Sequence, residues 1–432
     1  MKKILLIIPY IPYPLDSGGN QAFFNMVDYI RDKMEVSVLL HLKKHNQQEK
    51  IEELKKIWPN VNFFVYESTL NNDTLSTVRN PLYYKWLQKA QASIKRKLKR
   101  QLMRVKNSCE IDIARNKSVL PHSIFEPLES NYINYVAKVS CMGFDIIQVE
   151  FYELISLGYV LPDNVQTIFV HHELRYIRNE NELSLFKKIT PEDHMLYHIS
   201  RNFEKEALGK YKHIITLTET DQHLLNDLLQ RNNNIYASPA VVNKNINFNT
   251  AFVPATTNRL TFIGSEDHYP NLDAVVWMCE EIIPRLRTSG MRPIFQVIGK
   301  WRSTYVKKLC AKYPEVELTG YIEDIRSFMK GSVTVVPIRI GSGMRMKILD
   351  AINSKSPLIT TTKGVEGLNF INEEECLIAD TPDAFANAII RLLNDTNLQK
   401  KLALQAATKL QEQYKPEKML ERRMAIYDSI LA

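Results

Sequence analysis

Short unbroken apolar runs recur along the chain with polar, amphipathic stretches between them, and this alternation constrains the fold more than any other feature. In the first half the β-rich runs are 3–8, 35–41, 61–66, 145–150, 165–170 and 213–217, with helical patterns between them that include 82–106 and 126–142. Around 232–258 the pattern loosens: Arg231-Asn-Asn-Asn breaks a helix and Phe252-Val-Pro-Ala-Thr-Thr-Asn reads as a linker. Alternation then restarts, with strands predicted at 259–263, 294–298, 315–318, 332–336, 357–361 and 375–379. Helices are predicted there at 271–289, 303–313, 323–330, 343–355, 381–394 and 397–413. Continuous apolar runs fit strands covered on both faces, and intervening helices supply the crossovers that parallel strands need. The expected fold is α/β, two facing doubly wound domains with a cleft between them. The N-terminal domain spans 1–240 and is joined by a C-terminal helix, 416–432; the second domain spans 255–415. That last helix carries Leu420, Met424, Tyr427 and Leu431 on one face.

Composition narrows the class. With 432 residues, 45% of them apolar, the chain can bury two ordinary cores. No apolar run approaches the ~18 residues of a membrane span. The opening run ends at Pro9, too short for a signal peptide, and reads as a buried strand of a cytoplasmic protein. The five cysteines show no Cys-x-x-Cys, so neither a disulfide framework nor a zinc site is expected, and they read as buried thiols. The net charge of +8 is local: 85–106 holds nine cations and no acid, so the remainder is close to neutral. No basic face is spread over a domain, which argues against nucleic acid as a partner.

In doubly wound sheets, ligands sit outside the carboxyl ends of the strands, so functional residues are expected in the loops that follow them. After the first strand, Asp16-Ser-Gly-Gly-Asn leads into a helix expected to begin near Asn20. Gly18 and Gly19 there let backbone N–H groups approach an anion such as a diphosphate; a plain capped turn is the alternative. After the strand at 332–336 comes Pro337-Ile-Arg-Ile-Gly341-Ser342-Gly343-Met344-Arg345-Met-Lys347-Ile-Leu-Asp350. Gly341 and Gly343 free the backbone to cradle phosphate. Arg345 and Lys347 stand where the helix dipole disfavours cations, which suggests an anionic partner; solvated cations are the alternative. Asp350 is placed to accept hydrogen bonds from ribose hydroxyls. His171 and His172 follow the fifth strand at the same end.

With these motifs in order, the C-terminal half resembles the retaining GT-B-fold glycosyltransferases of family 4 (group 1 glycosyltransferases), in a branch with a Gly-Ser-Gly donor loop. The matching stretches are Leu260-Thr-Phe-Ile-Gly264, Pro270-Asn271-Leu-Asp273, Val297-Ile-Gly299, Leu318-Thr-Gly320-Tyr321-Ile322-Glu-Asp324, the 341–350 loop and Pro357-Leu-Ile-Thr-Thr-Thr-Lys-Gly364-Val-Glu366-Gly367. In the first half Gly18-Gly19, Val170-His171-His172-Glu173 and Ile214-Ile-Thr-Leu-Thr-Glu219-Thr-Asp221 also resemble it; 70–140 matches nothing recognisable. The resemblance implies a GT-B pair of Rossmann-like domains and a nucleotide-diphosphate sugar held mainly by the second. It implies a glycan or lipid-linked acceptor on the first and transfer of a hexose with retention, in bacterial-type cell-surface polysaccharide or glycoconjugate synthesis. By position, Gly18 and Gly19 would face the donor phosphates, and Gly341, Gly343, Arg345 and Lys347 would hold them from the other side. Gly264, Gly299, Ser342, Met344 and Glu366 would complete the donor site. Tyr321 and Ile322 would flank the base, Asp350 would stand for a ribose-binding glutamate, His171 would face the donor sugar and His172 the acceptor side.

Two departures stand out. The family's Glu, seven residues, Glu is here Ser342 and Asp350, and the Arg and Lys usual after the first donor-domain strand are absent from Gly264-Ser-Glu-Asp-His-Tyr-Pro-Asn. The resemblance implies that a diphosphate oxygen assists the acceptor hydroxyl, so no protein base is required. No Asp-x-Asp ends a strand, and neither metal nor cofactor is expected. The competing readings are a sugar-nucleotide epimerase of the same fold and a non-catalytic nucleotide-sugar-binding paralogue. If 82–106 is helical, Trp86, Leu87, Ala90, Ile94, Leu98, Leu102 and Val105 form one stripe. Lys95, Arg96, Lys97, Lys99 and Arg100 would then face an anionic bilayer, making the protein peripheral at the inner face of the membrane.

Overall fold

A computed structural model describes residues 1–15, 17–42, 47–68, 124–125, 127–231, 233–242, 251–256 and 258–432. Two parallel sheets organise them. The first contains β1 (Lys3–Ile8), β2 (Glu35–Leu42), β3 (Asn62–Glu67), β4 (Ile146–Glu150), β5 (Gln166–His171), β6 (His213–Thr216) and β7 (Ile235–Ala237), in spatial order β3-β2-β1-β4-β5-β6-β7. The second contains β8 (Arg259–Ile263), β9 (Ile294–Ile298), β10 (Val316–Gly320), β11 (Val333–Val336), β12 (Leu358–Thr360) and β13 (Leu377–Ile378), in order β10-β9-β8-β11-β12-β13. In both sheets the strand order reverses beside the first strand, at β1/β4 and at β8/β11. These are the two switch points where the crossovers part and a crevice opens.

Covered strands explain the apolar runs. Ile4, Leu5, Leu6, Ile7 and Ile8 are all 0% exposed. Ile4, Leu6 and Ile8 face one core layer, while Leu5 and Ile7 face the other, as the two-residue period requires. The C-terminal helix Pro416–Leu431 bridges the halves: Met419 and Leu420 join the core of the second domain, whereas Ile426, Tyr427 and Ile430 join that of the first.

Four expectations are corrected. β7 forms within the stretch read as loose, because three residues suffice to extend the sheet beside β6. The helix predicted at 271–289 is three pieces: Tyr269–Trp277, a π turn Met278–Ile282, and Ile283–Thr288. Pro284 has no N–H to continue the ladder, and the Ile283 N–H bonds the Met278 carbonyl instead. The first helix begins at Gly18 rather than near Asn20, because Ser17 caps it, accepting from the Asn20 N–H at 3.2 Å. Finally, Cys141 is exposed, while Cys279, Cys310 and Cys376 are buried.

Candidate functional site

The loops after β1, β4, β8 and β11 meet where the two switch points face each other. Gly18 and Gly19 open the helix Gly18–Ile30, and their N–H groups have no partner among the described residues. Across the gap lies the start of the helix Met346–Asn353: a Cβ on Gly18 would stand 3.0 Å from Met346 Cγ. On the other side, a Cβ on Gly19 would meet Tyr10 Oη at 3.0 Å and Phe151 at 3.4 Å. The entrance glycines of one domain thus face the helix Met346–Asn353 of the other.

The loop Gly341–Arg345 docks directly on the N-terminal domain. Ser342 Oγ accepts from the Leu174 N–H at 2.6 Å, the Gly341 N–H donates to Asn181 Oδ1 at 3.1 Å, and the Gly343 N–H donates to Asp221 Oδ2 at 2.9 Å. Only glycine fits here: φ is +109° at Gly341 and +80° at Gly343, and a Cβ on Gly343 would fall 2.2 Å from the His172 carbonyl oxygen. This corrects the cradle expected of the two glycines, since both amides are taken by protein acceptors. The amides of Gly18 and Gly19 keep no partner among the described residues.

Two cations stand at the gap. Arg345 holds the N-cap position of the helix Met346–Asn353, and its guanidinium turns back on the loop, donating to the carbonyls of Ser342, Gly343 and Ile340. Its Nε is buried with no hydrogen-bond partner among the described residues, and Glu173, Glu366 and Asp221 add to the field around it. Lys347 reaches Asn271 Oδ1 and lies 4.3 Å over the Phe262 ring. No carboxylate pairs with it among the described residues. Burial and then the neighbouring Arg345 push its ammonium well below the usual lysine range.

The two histidines part company. His171 is 1% exposed, bonded through Nε2 to Glu204 Oε1 at 2.7 Å. Glu204 also accepts from the N–H groups of Arg175 and Tyr176, and so fixes the start of the helix Arg175–Ser184. This corrects the expectation that His171 faces the donor sugar: alternation along β5 turns its ring inward. His172 is the half-buried one. It bonds Glu150 Oε2 at 2.6 Å and stacks on Phe151, ring centres 4.0 Å apart at 5°. Phe151 has φ +70°, an unusual value for a bulky residue at a strand's end. Glu150 Oε1 accepts from Gln148 at 2.6 Å, and Gln148 Oε1 accepts from the Tyr427 hydroxyl at 2.7 Å. A buried polar chain therefore runs from the C-terminal helix to His172.

The remaining predicted residues line the carboxyl edge of the second sheet. The Gly264 N–H bonds the Ile298 carbonyl and the Gly299 N–H bonds that of Gly320, so three glycines end β8, β9 and β10 together. Tyr321 is 60% exposed, while Ile322 packs on the cluster that includes Ala351, beside the half-buried Asp350. Met344 is buried, and Glu366 pairs with Lys363 at 2.8 Å. Lys95, Arg96, Lys97, Lys99, Arg100 and the rest of 82–106 lie outside the described residues.

Sequence reasoning assigned no role to Tyr10, Glu150, Phe151, Glu173, Arg178, Asn181, Asp221 or His268. Asp221 bears the usual signal of an N-terminal helical acid: it bonds the capping Thr218 while also receiving the Gly343 N–H. Arg178 pairs with Glu182 at 2.9 Å and with Glu173 at 3.4 Å.

Two facing Rossmann-like domains with these strand orders define the GT-B fold. Residues 257–395 match the family model described as "Glycosyl transferases group 1". Solved GT-B structures align with the chain over nearly its full length. A TarM variant from S. aureus, in complex with fondaparinux, alpha-GlcNAc-glycerol and UDP, has TM-score 0.65 and 14% identity, covering 99% of this chain and 100% of that one. HepE from Anabaena, in complex with UDP and glucose, has TM-score 0.65 and 12% identity over 99% and 100%. Sucrose-phosphate synthase from Thermosynechococcus elongatus has TM-score 0.64 and 14% identity over 100% and 99%. An uncharacterized 44.6 kDa protein in the cps region of Klebsiella pneumoniae is 23% identical over 166 residues, which cover 37% of this chain and 43% of that protein.

Proposed function

We propose that the chain is a glycosyltransferase that takes a hexose from a nucleoside-diphosphate sugar and transfers it, with retention, to a glycan or lipid-linked acceptor in cell-surface polysaccharide or glycoconjugate synthesis. The carrying observation is the juxtaposition of the amides of Gly18 and Gly19, unpartnered among the described residues, with the helix that bears Lys347, a cation held at electrostatic cost with no acid paired to it among those residues. Such a gap suits a diphosphate. The family match over 257–395 supports the reaction class. Neighbours of the same fold are complexed with UDP and glucose or with UDP-glucose, and the relative from a cps region agrees with polysaccharide synthesis.

The chemistry follows from charge. The bond from the sugar's anomeric carbon to the diphosphate oxygen breaks, and the electron pair leaves with the diphosphate. The acceptor oxygen bonds the same face of that carbon and its proton passes to a diphosphate oxygen. The two free amides, Arg345 and Lys347 stabilise the growing negative charge more than the ground state. These groups suffice for the leaving group, so the reaction is proposed to run without metal or cofactor. Residues 82–106 are proposed to hold the protein at the inner face of the membrane. Vesicle co-sedimentation should fall when Lys95, Arg96, Lys97, Lys99 and Arg100 are changed to Gln, and unaltered binding would remove the idea.

The deciding experiment incubates the protein with UDP-, GDP- and ADP-hexoses and follows products by NMR. Release of nucleoside diphosphate with an α-linked product from an α-donor, or slow α-hexose release without acceptor, is expected. An isomeric nucleotide sugar would mean an epimerase. Binding without product would mean a paralogue without turnover, a reading favoured by the occupied amides of Gly341 and Gly343.

A further inference from the structure

Glu173 stands just ahead of the helix Arg175–Ser184, in the seam between the domains. Its Oε2 is 3.4 Å from Arg178 Nη1 and 3.7 Å from His268 Nε2, so the carboxylate is tied to both domains. Its Oε1 is buried and has no hydrogen-bond partner among the described residues. That oxygen faces the loop Gly341–Arg345: the point where a Cβ on Gly341 would stand lies 2.6 Å from it and 3.1 Å from Arg345 Nη2, so the guanidinium borders the carboxylate without bonding it. The Leu174 N–H, one residue on, is bonded to Ser342 Oγ, which fixes the loop against the carboxylate while adding no charge of its own. Burial alone would raise the Glu173 carboxyl; Arg178, His268 and Arg175 outweigh it and hold it well below the usual range. The group is therefore an ionised acceptor with one oxygen unsatisfied, and buried orphans of this kind call for a ligand.

An ionised carboxylate only accepts hydrogen bonds, so its partner must be a hydroxyl or N–H. It repels phosphate, which belongs instead at Lys347 and the amides of Gly18 and Gly19. In a nucleoside-diphosphate sugar, the part left to face Glu173 is the sugar. We propose that Glu173 Oε1 accepts a hydrogen bond from a hydroxyl of the donor sugar, so that a residue of the N-terminal domain distinguishes a sugar nucleotide from the bare nucleotide. The proposal rests on the donor reading above and adds to it the residue that senses the sugar.

Calorimetry of the wild type and Glu173→Gln with UDP and UDP-glucose, and with the GDP-mannose and ADP-glucose pairs, tests it. For the pair that the wild type binds, the variant should bind the sugar nucleotide roughly tenfold more weakly while the bare diphosphate binds unchanged or tighter. Glu173→Asp keeps the charge but withdraws the oxygen, and should show the same split to a smaller degree if the Gln variant folds poorly. Equal losses for both ligands, or none, would overturn the role of Glu173 and leave the donor reading standing. A wild type that binds none of these diphosphates would overturn the donor reading itself, and the proposal with it.

Discussion

At the scale of single residues, the site is built from groups held at a cost. Lys347 is the clearest case, an ammonium enclosed beside Phe262 and Asn271 with Arg345 as its charged neighbour. Because its folded pKa is depressed, the unfolded chain binds a proton that the folded chain lacks between the two pKa values. Stability should therefore rise with pH through that window. Lys347→Met should flatten this slope and raise the melting temperature near neutral pH by roughly 2 °C, while turnover falls by roughly a hundredfold. Thermal melts across pH, paired with a donor-turnover assay, check both; a lower melting temperature would mean that Lys347 is a stabilising contact. What was legible is where the cations and glycines stand, in the loops that face each other across the domains, because charge and φ freedom are written in residue type; that the Gly341 and Gly343 amides bond protein acceptors was not. The roles of His171 and His172 were not legible, since which ring turns inward depends on the pleat of β5 and on Glu204, 33 positions away.

At the scale of elements, strands and helices were readable because each is covered on both faces or amphipathic, so pattern and packing agree. The exceptions are local and physical: Pro284 re-registers a helix, and β7 adds three residues at a sheet edge that carry no pattern of their own. What no pattern conveys is that the loop Gly341–Arg345 spends its glycine amides on Asn181 and Asp221 of the opposite domain. The close approach of His172 makes Gly343 the sensitive point. Gly343→Ala, at φ +80° with its Cβ 2.2 Å from the His172 oxygen, must separate the loop from β5. It should cost about 1–3 kcal/mol in chemical denaturation and widen the solution scattering profile. An unchanged profile and midpoint would show that the loop does not dock there.

At the scale of the whole molecule, two sheets present their switch points to one another, and the helix Pro416–Leu431 ties them together. Its Tyr427 begins the buried chain through Gln148 and Glu150 to His172. Tyr427→Phe removes one hydroxyl and leaves Gln148 Oε1 short of a donor, which should cost about 1–3 kcal/mol and lower turnover by shifting His172. Denaturant midpoints and steady-state rates, measured together, check this. Loss of stability with an unaltered rate would confine Tyr427 to packing. The central claim is settled most directly by a crystal structure of the protein soaked with a nucleoside diphosphate. The account predicts phosphate oxygens within hydrogen-bond distance of the Gly18 or Gly19 amide on one side and of Lys347 Nζ on the other. A diphosphate bound elsewhere, touching neither side of that gap, would contradict it.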